Sequence, residues 1–162
     1  MKKLLAINIL LFFLVTTGFS QTDSFDVFTY NSPEFFTKSE LPSGTQFIMV
    51  NNSESFCSIT LYKSQAAGKN VMKDVTNQWN EQVVKRLTKA NKKPAQVLTE
   101  QMWDGWISTL AIGNFYQNKR KCVVMLYSFR KGRTSACAVF AFSDKIFKGP
   151  IQNFSQNLHL KN

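Results

Sequence analysis

The chain of 162 residues carries 20 Lys and Arg against 10 Asp and Glu, which gives a formal net charge of +10, and it contains three cysteines. This length allows one domain with a substantial hydrophobic core, and three cysteines allow at most one intramolecular disulfide bond, so a disulfide-stapled scaffold is excluded. The positive charge favours contact with polyanions such as acidic glycans or lipid headgroups, although exported proteins are also basic for solubility alone.

The N-terminus has the pattern of a secretory signal peptide. Two early lysines precede a twelve-residue run, 4–15, that is apolar except for one Asn, and small residues stand at Gly18 and Ser20. The apolar run is shorter than the ~20 residues that a membrane-spanning helix needs, so a retained anchor is the weaker alternative. We therefore predict a signal peptide over residues 1–20 and a single α+β domain over residues 21–162.

Cleavage before Gln21 produces an exported mature chain, periplasmic or extracellular, with no membrane span. Its net charge is +10 less the two lysines of the leader, or +8. The residue directly after the cleavage site is Gln21 and not a cysteine, which argues against attachment as a bacterial lipoprotein.

The first part of the mature chain contains β-prone segments separated by turns. Residues 25–30 are predicted as a short strand that ends at an Asn-Ser-Pro turn. Residues 46–50 and 56–63 are predicted as a second and a third strand, and the polar link 51–55 has hairpin length. We therefore expect these strands to be antiparallel.

From about residue 70 to residue 90 the apolar residues recur every three or four positions, which predicts an amphipathic helix. Asn70 is placed to cap its N-terminus, and Glu81 and Lys85 are spaced for a supporting ion pair. An Asn-Lys-Lys-Pro sequence at 91–94 ends the helix. The predicted buried stripe consists of Met72, Val75, Trp79, Val83 and Leu87.

The segment after Pro94 predicts a meander of antiparallel strands. Asp104-Gly105 joins the first two strands, residues 117–120 the next pair and Lys131-Gly132 the last. An Asp-Gly pair between strands favours a type I′ turn, because both central residues need a positive φ. The four predicted strands are near 96–103, 106–116, 121–130 and 134–142.

The last two of these strands are apolar on both faces, whereas an antiparallel sheet with one face in water should alternate. We therefore expect each face to be covered, one by the helix at 70–90 and the other by a C-terminal helix at about 150–158 that has Pro150 in its first turn. The predicted fold class is α+β, with a mainly antiparallel sheet of about six to seven strands covered by a helix on each face.

The order β-β-β-α-β-β-β-β-α, which opens on Phe28-Thr29-Tyr30-Asn31-Ser32-Pro33, resembles the PsbP-like α/β/α sandwich. The segments 56–62, Trp79-Asn80-Glu81 and Asp104-Gly105-Trp106 look like those of small exported proteins of this shape from Gram-negative bacteria. The resemblance covers nearly the whole mature domain. It implies accessory, binding or assembly proteins more often than enzymes, and it assigns no functional residue in this chain.

Trp103, Asp104 and Trp106 are the candidate binding residues. If Asp104-Gly105 is a two-residue turn, the two tryptophans face each other across the strands. Two alternatives follow. An exposed pair would form a stacking platform with one acceptor, suited to a sugar ring or a peptide aromatic, whereas a buried pair would fix the hairpin and close the end of the core.

Basic residues cluster at the two ends of one predicted strand. About ten residues at ~3.3 Å each separate the clusters by roughly 33 Å, so they cannot form one compact patch. Aromatic residues do not interleave with them, so we predict no nucleic-acid partner. Solvated loop charge and a basic surface for acidic glycan or lipid headgroups remain as alternatives for Lys119, Arg120, Lys121, Arg130, Lys131 and Arg133.

Each cysteine, Cys57, Cys122 and Cys137, lies in a predicted strand and is expected to pack as a small hydrophobic residue. With a turn at 131 and 132, paired residue numbers sum to 263, which leaves Cys122 and Cys137 out of register for a disulfide bond, while a partner for Cys57 stays open. The only histidine is His159. No metal-ligand spacing or acid–base pair is recognisable, so we predict no metal site, no cofactor and no catalytic residue.

These features predict an exported, non-enzymatic binding or accessory protein of the cell envelope or the extracellular space. Its expected partner is an envelope protein or an acidic glycan. The first alternative is a protein that binds acidic glycan or lipid headgroups through its basic surface, and the second is an enzyme without a recognisable motif.

Overall fold

The computed structural model describes residues 22–51, 55–101 and 103–161, with the side chains of Gln101 and Trp103 left outside that description. The predicted signal peptide, residues 1–20, and its cleavage site lie outside the described residues. Within them the chain forms an α+β fold of two antiparallel sheets, one of seven and one of three strands, and two α-helices. The predicted class and the antiparallel pairing are confirmed.

The elements follow one another as β1 (Thr22–Phe25), β2 (Phe28–Asn31), β3 (Thr37–Leu41), β4 (Gly44–Val50), β5 (Phe56–Ala66), α1 (Val71–Gln78), a π-helical turn (Trp79–Val84), β6 (Gln96–Gln101), a 3₁₀ turn (Trp103–Gly105), β7 (Ile107–Gln117), β8 (Arg120–Lys131), β9 (Thr134–Phe142), a 3₁₀ turn (Lys145–Phe147), α2 (Lys148–Gln156) and β10 (His159–Leu160). The large sheet has the order β3-β4-β5-β9-β8-β7-β6, and the small sheet has the order β1-β2-β10. The β4–β5 hairpin and the meander from β6 to β9 are confirmed.

Three short strands escape the sequence prediction for different reasons. The single strand expected at 25–30 is a hairpin, because Asp26 takes a φ of 51° and the chain reverses so that Phe25 pairs with Phe28. Strand β3 is an edge strand whose residues are exposed except at Leu41, so it shows no apolar alternation. Strand β10 has only two residues.

The first helix begins as predicted but ends earlier. The Asn70 side chain accepts a hydrogen bond from the Lys73 amide at 2.9 Å, and Lys85 pairs with Glu81 at 2.5 Å. The helix stops near residue 84 because the following segment hydrogen-bonds to β7. These bonds join the backbone amides of Tyr116, Asn91 and Ala95 to the carbonyls of Thr88, Asn114 and Ile112, respectively.

The predicted β8–β9 register is wrong by two residues. Lys131 pairs with Thr134, so paired numbers sum to 265 and the turn lies at Gly132-Arg133, where Gly132 has a φ of 56°. The glycine therefore takes the first position of the turn and not the second. A shift of two residues preserves the face on which each side chain lies, because strand side chains alternate with a period of two.

The core contains two clusters of buried side chains. The α2 cluster joins Ile151 and Phe154 to strand residues that include Phe47, Ile59 and Phe140. The α1 cluster joins Val75, Trp79 and Val83 to strand residues that include Ala111, Leu126 and Val139. Strands β8 and β9 contribute alternate residues to the two clusters, so both faces of each strand are apolar; both faces of β9 are buried, whereas Val123, Met125 and Tyr127 of β8 are only half-buried.

Candidate functional site

The Asp104-Gly105 turn has the predicted backbone conformation without the predicted pairing. Asp104 and Gly105 have φ values of 67° and 76°, but the β6–β7 ladder ends at Gln101 and Ile107. Trp103 and Trp106 are therefore not a cross-strand pair. Trp106 is 3% exposed and its indole nitrogen donates to the Lys161 carbonyl at 3.2 Å, so it is a core residue.

Asp104 is exposed, while the side chain of Trp103 lies outside the described residues. An exposed aromatic pair is therefore not the arrangement at this turn. The buried alternative applies to Trp106, which fixes the C-terminal segment to the end of the sheet through its hydrogen bond.

Arg130 is ion-paired and its side chain is only 19% exposed, which corrects its assignment to a basic surface. Its guanidinium donates to the Asp74 carboxylate at 2.6 Å and to the Gly68 carbonyl at 3.0 Å. The Asp74 side chain is 3% exposed, so this ion pair is largely removed from water. Arg130 therefore holds the start of α1 against β8, and the Asp74 carboxylate neutralises its charge.

The other basic residues remain near the ends of β8. Lys119, Arg120, Lys121 and Arg133 are exposed, and the Arg120 guanidinium donates to the Ser55 hydroxyl at 3.2 Å. Lys131 is half-buried. Their location at opposite ends of a twelve-residue strand preserves the separation that the sequence indicates.

An apolar surface lies on the three strands β6, β7 and β8, on the side of the sheet that carries the α2 cluster. Cross-strand pairing places Leu98 opposite Leu110, Leu110 opposite Tyr127, and Ile112 opposite Met125. Leu98 is 46% exposed, and the other four are half-buried. We call this surface, formed by Leu98, Leu110, Ile112, Met125 and Tyr127, the open face.

The opposite side of β7 and β8 is fully covered. Ala111 and Phe115 of β7 and Val124 and Leu126 of β8 are at most 1% exposed, within the α1 cluster. Trp79 packs so closely here that a Cβ on Gly113 would lie 2.8 Å from its ring. The contrast between the two sides of β7 and β8 shows that the described elements cover the open face only in part.

Two adjoining clefts run between α2 and the open face and share Tyr127 and Ser155. One has a volume of about 370 Å³ and includes Lys148 and Ile151; the other, of about 160 Å³, includes Glu100. We call the two clefts together the α2 groove. Its volume lies in the range of sites that bind ligands or partner side chains.

The α2 groove carries opposite charges at its two ends. In the cross-strand pairing, Glu100 lies in one row with Ser108 and Phe129. Lys148 lines the cleft that includes Phe142, and Phe142 lies in one row with Val123. These rows are six residues apart along β8, which is about 20 Å at ~3.3 Å per residue. The floor between them is apolar apart from the Tyr127 hydroxyl.

Tyr127 is the polar group at the middle of the groove floor. Its ring stacks on Phe129 with a centroid distance of 6.2 Å and meets the Phe140 ring edge-on at 5.5 Å. Burial raises the pKa of Tyr127, and the negative charge of Glu100 raises it further. The hydroxyl therefore stays protonated at neutral pH and can donate a hydrogen bond.

The cysteines do not have the properties of catalytic nucleophiles. All three are free and buried, with Cys57 in the α2 cluster and Cys122 and Cys137 in the α1 cluster. Burial raises the pKa of Cys57 and of Cys137 to about 12, which leaves the reactive thiolate scarce at neutral pH. Among the described residues, no cluster of three His, Cys, Asp or Glu side chains could hold a metal ion.

The sequence contains only part of the signal for the open face. The apolar residues at 123–129 of β8 indicate a surface that needs cover, and the pattern assigns that cover to a helix. Leu98, Leu110 and Ile112 extend this surface across two further strands. The lateral position of α2, which leaves them uncovered, is a tertiary feature that periodicity does not encode.

Within the described part of the chain, no helix has both the length and the apolar character that crossing a membrane requires.

No known protein family and no curated protein match this sequence. Among solved structures, the chain is similar to a protein from Bacteroides thetaiotaomicron, with a TM-score of 0.49 and 12% identity over 84% of this chain and 46% of that one. It is also similar to a protein of unknown function from Pseudomonas aeruginosa, with a TM-score of 0.45 and 12% identity over 75% of this chain and 92% of that one. The chain thus spans less than half of the Bacteroides protein, and these likenesses assign no function to it.

Proposed function

We propose that this chain is an exported, non-enzymatic accessory protein that binds an amphipathic helix of an envelope protein on its open face. The single observation that carries the proposal is the partly exposed apolar surface of β6, β7 and β8 beside α2. Contiguous apolar patches on the surface of soluble proteins mark interaction sites.

The dimensions of the open face suit a helix. Three strands spaced ~4.8 Å apart give a width of about 14 Å, and an α-helix with its side chains is about 10–12 Å across. The groove length of about 20 Å corresponds to roughly 13 helical residues at 1.5 Å each. A partner helix would therefore lie beside α2 and complete the layer that α2 begins.

The charges at the two ends define the partner further. Lys148 favours an acidic residue at its end of the docked helix, and Glu100 favours a basic residue at the other end. Such rim charges fix orientation and association rate more than they add affinity. The binding energy would come from apolar side chains of the partner in contact with Leu98, Leu110 and Met125.

The proposal includes the finer description of the fold. We infer a PsbP-like α/β/α arrangement with one helix on each face, since the α1 cluster and the α2 cluster use side chains of opposite parity from β8 and β9. In this arrangement the two helices are offset sideways, so that α2 leaves β6 to β8 open on its own side. Export is supported by the leader-like sequence of residues 1–20.

The two rival functions have weaker support. A basic surface for acidic glycan or lipid loses Arg130 to the Asp74 ion pair. An enzyme would need a reactive group in a cleft, and burial raises the pKa of the described thiols.

Site-specific crosslinking in the producing cell tests the proposal. A photoreactive residue replaces Leu98 on the open face, and the same residue replaces Val50, a 64% exposed apolar side chain of β4, in the control. We expect position 98 to capture an envelope protein through an amphipathic helix that the control does not capture. Capture of a second copy of this chain, of lipid, or of the same proteins by both positions would contradict the proposal.

The captured segment is then synthesised and titrated into the mature chain with labelled methyl groups. We expect shifts at Leu98, Leu110, Ile112 and Met125. Leu98→Lys should weaken binding by about tenfold or more, which corresponds to about 1.4 kcal/mol, whereas Val50→Lys should leave it unchanged. Equal effects of the two substitutions would show that the open face is not the docking site.

A further inference from the structure

A second cleft lies on the opposite side of α2 from the open face. It has a volume of about 440 Å³ and lies between the segment that follows β2, Met49 of β4 and one side of α2. Its floor includes Phe154, a residue of the α2 cluster that is 2% exposed. We call it the asparagine cleft, because its lining includes Asn31, Asn153 and Asn157. Glu34, Phe35 and Phe36 also line it.

Phe35 is the most exposed large apolar side chain among the described residues, at 88%. Its φ of 65° lies in the left-handed region, which a bulky residue adopts rarely. Neither burial nor backbone preference explains a phenylalanine here, since a glycine or an asparagine would suit this conformation better. The ring lines the asparagine cleft, where it offers a free aromatic surface.

The three asparagines form a connected array of amides. The Asn31 side-chain nitrogen donates to Oδ1 of Asn157 at 3.4 Å. The Asn157 side-chain nitrogen donates to Oδ1 and to the backbone carbonyl of Asn153 at 3.1 and 2.8 Å. This chain of bonds fixes the amide orientations and leaves the side-chain nitrogen of Asn153, which is exposed, free to donate to a ligand.

The charge of the asparagine cleft differs from that of the protein. The only charged residue among its described lining residues is Glu34, although the mature chain is strongly basic. An acidic ligand would meet a carboxylate and no cation. The lining therefore suits an uncharged ligand that has several hydroxyl or amide groups and one apolar face.

We propose that the asparagine cleft binds a neutral saccharide. The apolar face of a pyranose ring stacks on Phe35, and its hydroxyls accept hydrogen bonds from the Asn153 amide and donate to Glu34. The volume of about 440 Å³ fits a short oligosaccharide segment within the range of ligand pockets. This site goes beyond the helix-docking function, because it lies on the other side of α2 and uses other residues.

Saturation-transfer NMR on the mature chain tests the site with defined probes. The probes are cellotriose, maltotriose and triacetylchitotriose, with trigalacturonate as the acidic comparison and a neutral Ala-Asn pentapeptide as the peptide comparison. We expect at least one neutral trisaccharide to bind with a dissociation constant of about 1 mM or lower, and more tightly than both comparison probes. The Phe35 ring signals should shift on binding.

Two variants and two controls localise the binding. Phe35→Gly and Asn153→Ala should each weaken it by about tenfold or more. Phe35→Gly should also preserve the melting temperature, because glycine accepts a positive φ without strain. Tyr116→Ala, which removes a 42% exposed aromatic ring from β7, and Leu98→Lys, which blocks the open face, should leave saccharide binding unchanged.

The proposal is overturned if none of the neutral trisaccharides binds, or if trigalacturonate or the pentapeptide binds as tightly. It is equally overturned if Phe35→Gly retains the wild-type affinity. If Leu98→Lys abolishes helix docking and leaves saccharide binding intact, the two sites are independent. Failure of one proposal would then not imply failure of the other.

Discussion

Gly113→Ala should destabilise the protein by crowding the contact between Trp79, at the start of the π-helical turn that follows α1, and strand β7. A Cβ at position 113 would lie 2.8 Å from two ring atoms of Trp79, closer than real Cβ contacts come. The indole cannot move aside easily, because Trp79 is 1% exposed and its nitrogen donates to the Asn91 carbonyl at 2.9 Å. Overpacking of this kind costs about 1–3 kcal/mol.

For a domain of this size, that cost corresponds to a fall in Tm of roughly 3–12 °C at about 3–4 °C per kcal/mol. Thermal and urea unfolding measure it. Gly149→Ala is the comparison variant, because a Cβ there has nothing within 4 Å apart from its own chain neighbours; since Pro150 follows it in α2, we expect a small loss of stability that is less than the loss in Gly113→Ala.

The Trp79→Phe substitution removes the two ring atoms in question and should relieve the clash. The double variant Gly113→Ala with Trp79→Phe should therefore lose less stability than the sum of the single variants, by about 0.5–3 kcal/mol. A Gly113→Ala protein as stable as wild type, or strictly additive effects in the double variant, would refute the packing of Trp79 on β7.

Three further predictions concern stability. Arg130→Ala should lower the free energy of unfolding in urea by about 3–5 kcal/mol, because it leaves the buried Asp74 carboxylate without its charged partner. The double variant Arg130→Ala with Asp74→Ala should recover part of that loss. A loss below about 1 kcal/mol in Arg130→Ala would show that the pair is solvated. Trp106→Ala should cost about 3–5 kcal/mol as a deleted core aromatic, and a near-neutral effect would indicate that the ring is exposed. Burial raises the pKa of Cys57 from 9.0 to about 12, so unfolding above pH 9 releases the thiol proton. The free energy of unfolding should therefore fall as pH rises from about 9 toward 12. In Cys57→Ala the free energy of unfolding should depend less steeply on pH over this range.

The sequence predicts the elements that depend on local pattern. The β6 to β9 meander follows from alternation and turn residues, and the N-terminus of α1 follows from Asn70 and the apolar period. The positive φ of Asp104 and Gly105 follows from the chemistry of the turn. In these places one physical requirement acts within a few residues, so the local sequence is sufficient.

The errors arise where tertiary contacts decide. The helix stops before residue 90 because backbone groups near Asn91 pair with β7, and β3 forms because β4 offers it an edge. Arg130 has the sequence context of a surface cation, yet Asp74 of α1 neutralises it. The open face requires knowledge of where α2 lies across the sheet, which no periodicity records.

Methyl accessibility in the free protein measures directly whether the open face is exposed, because the experiment needs no partner. A soluble nitroxide relaxes methyl protons that water can reach, and the open face should be reached at Leu98, Leu110 and Ile112 at any protein concentration. The methyls of Val124 and Leu126, on the covered side of the neighbouring strand β8, should be protected. Equal protection of both sets at low concentration would contradict the claim that the sheet presents an uncovered apolar surface.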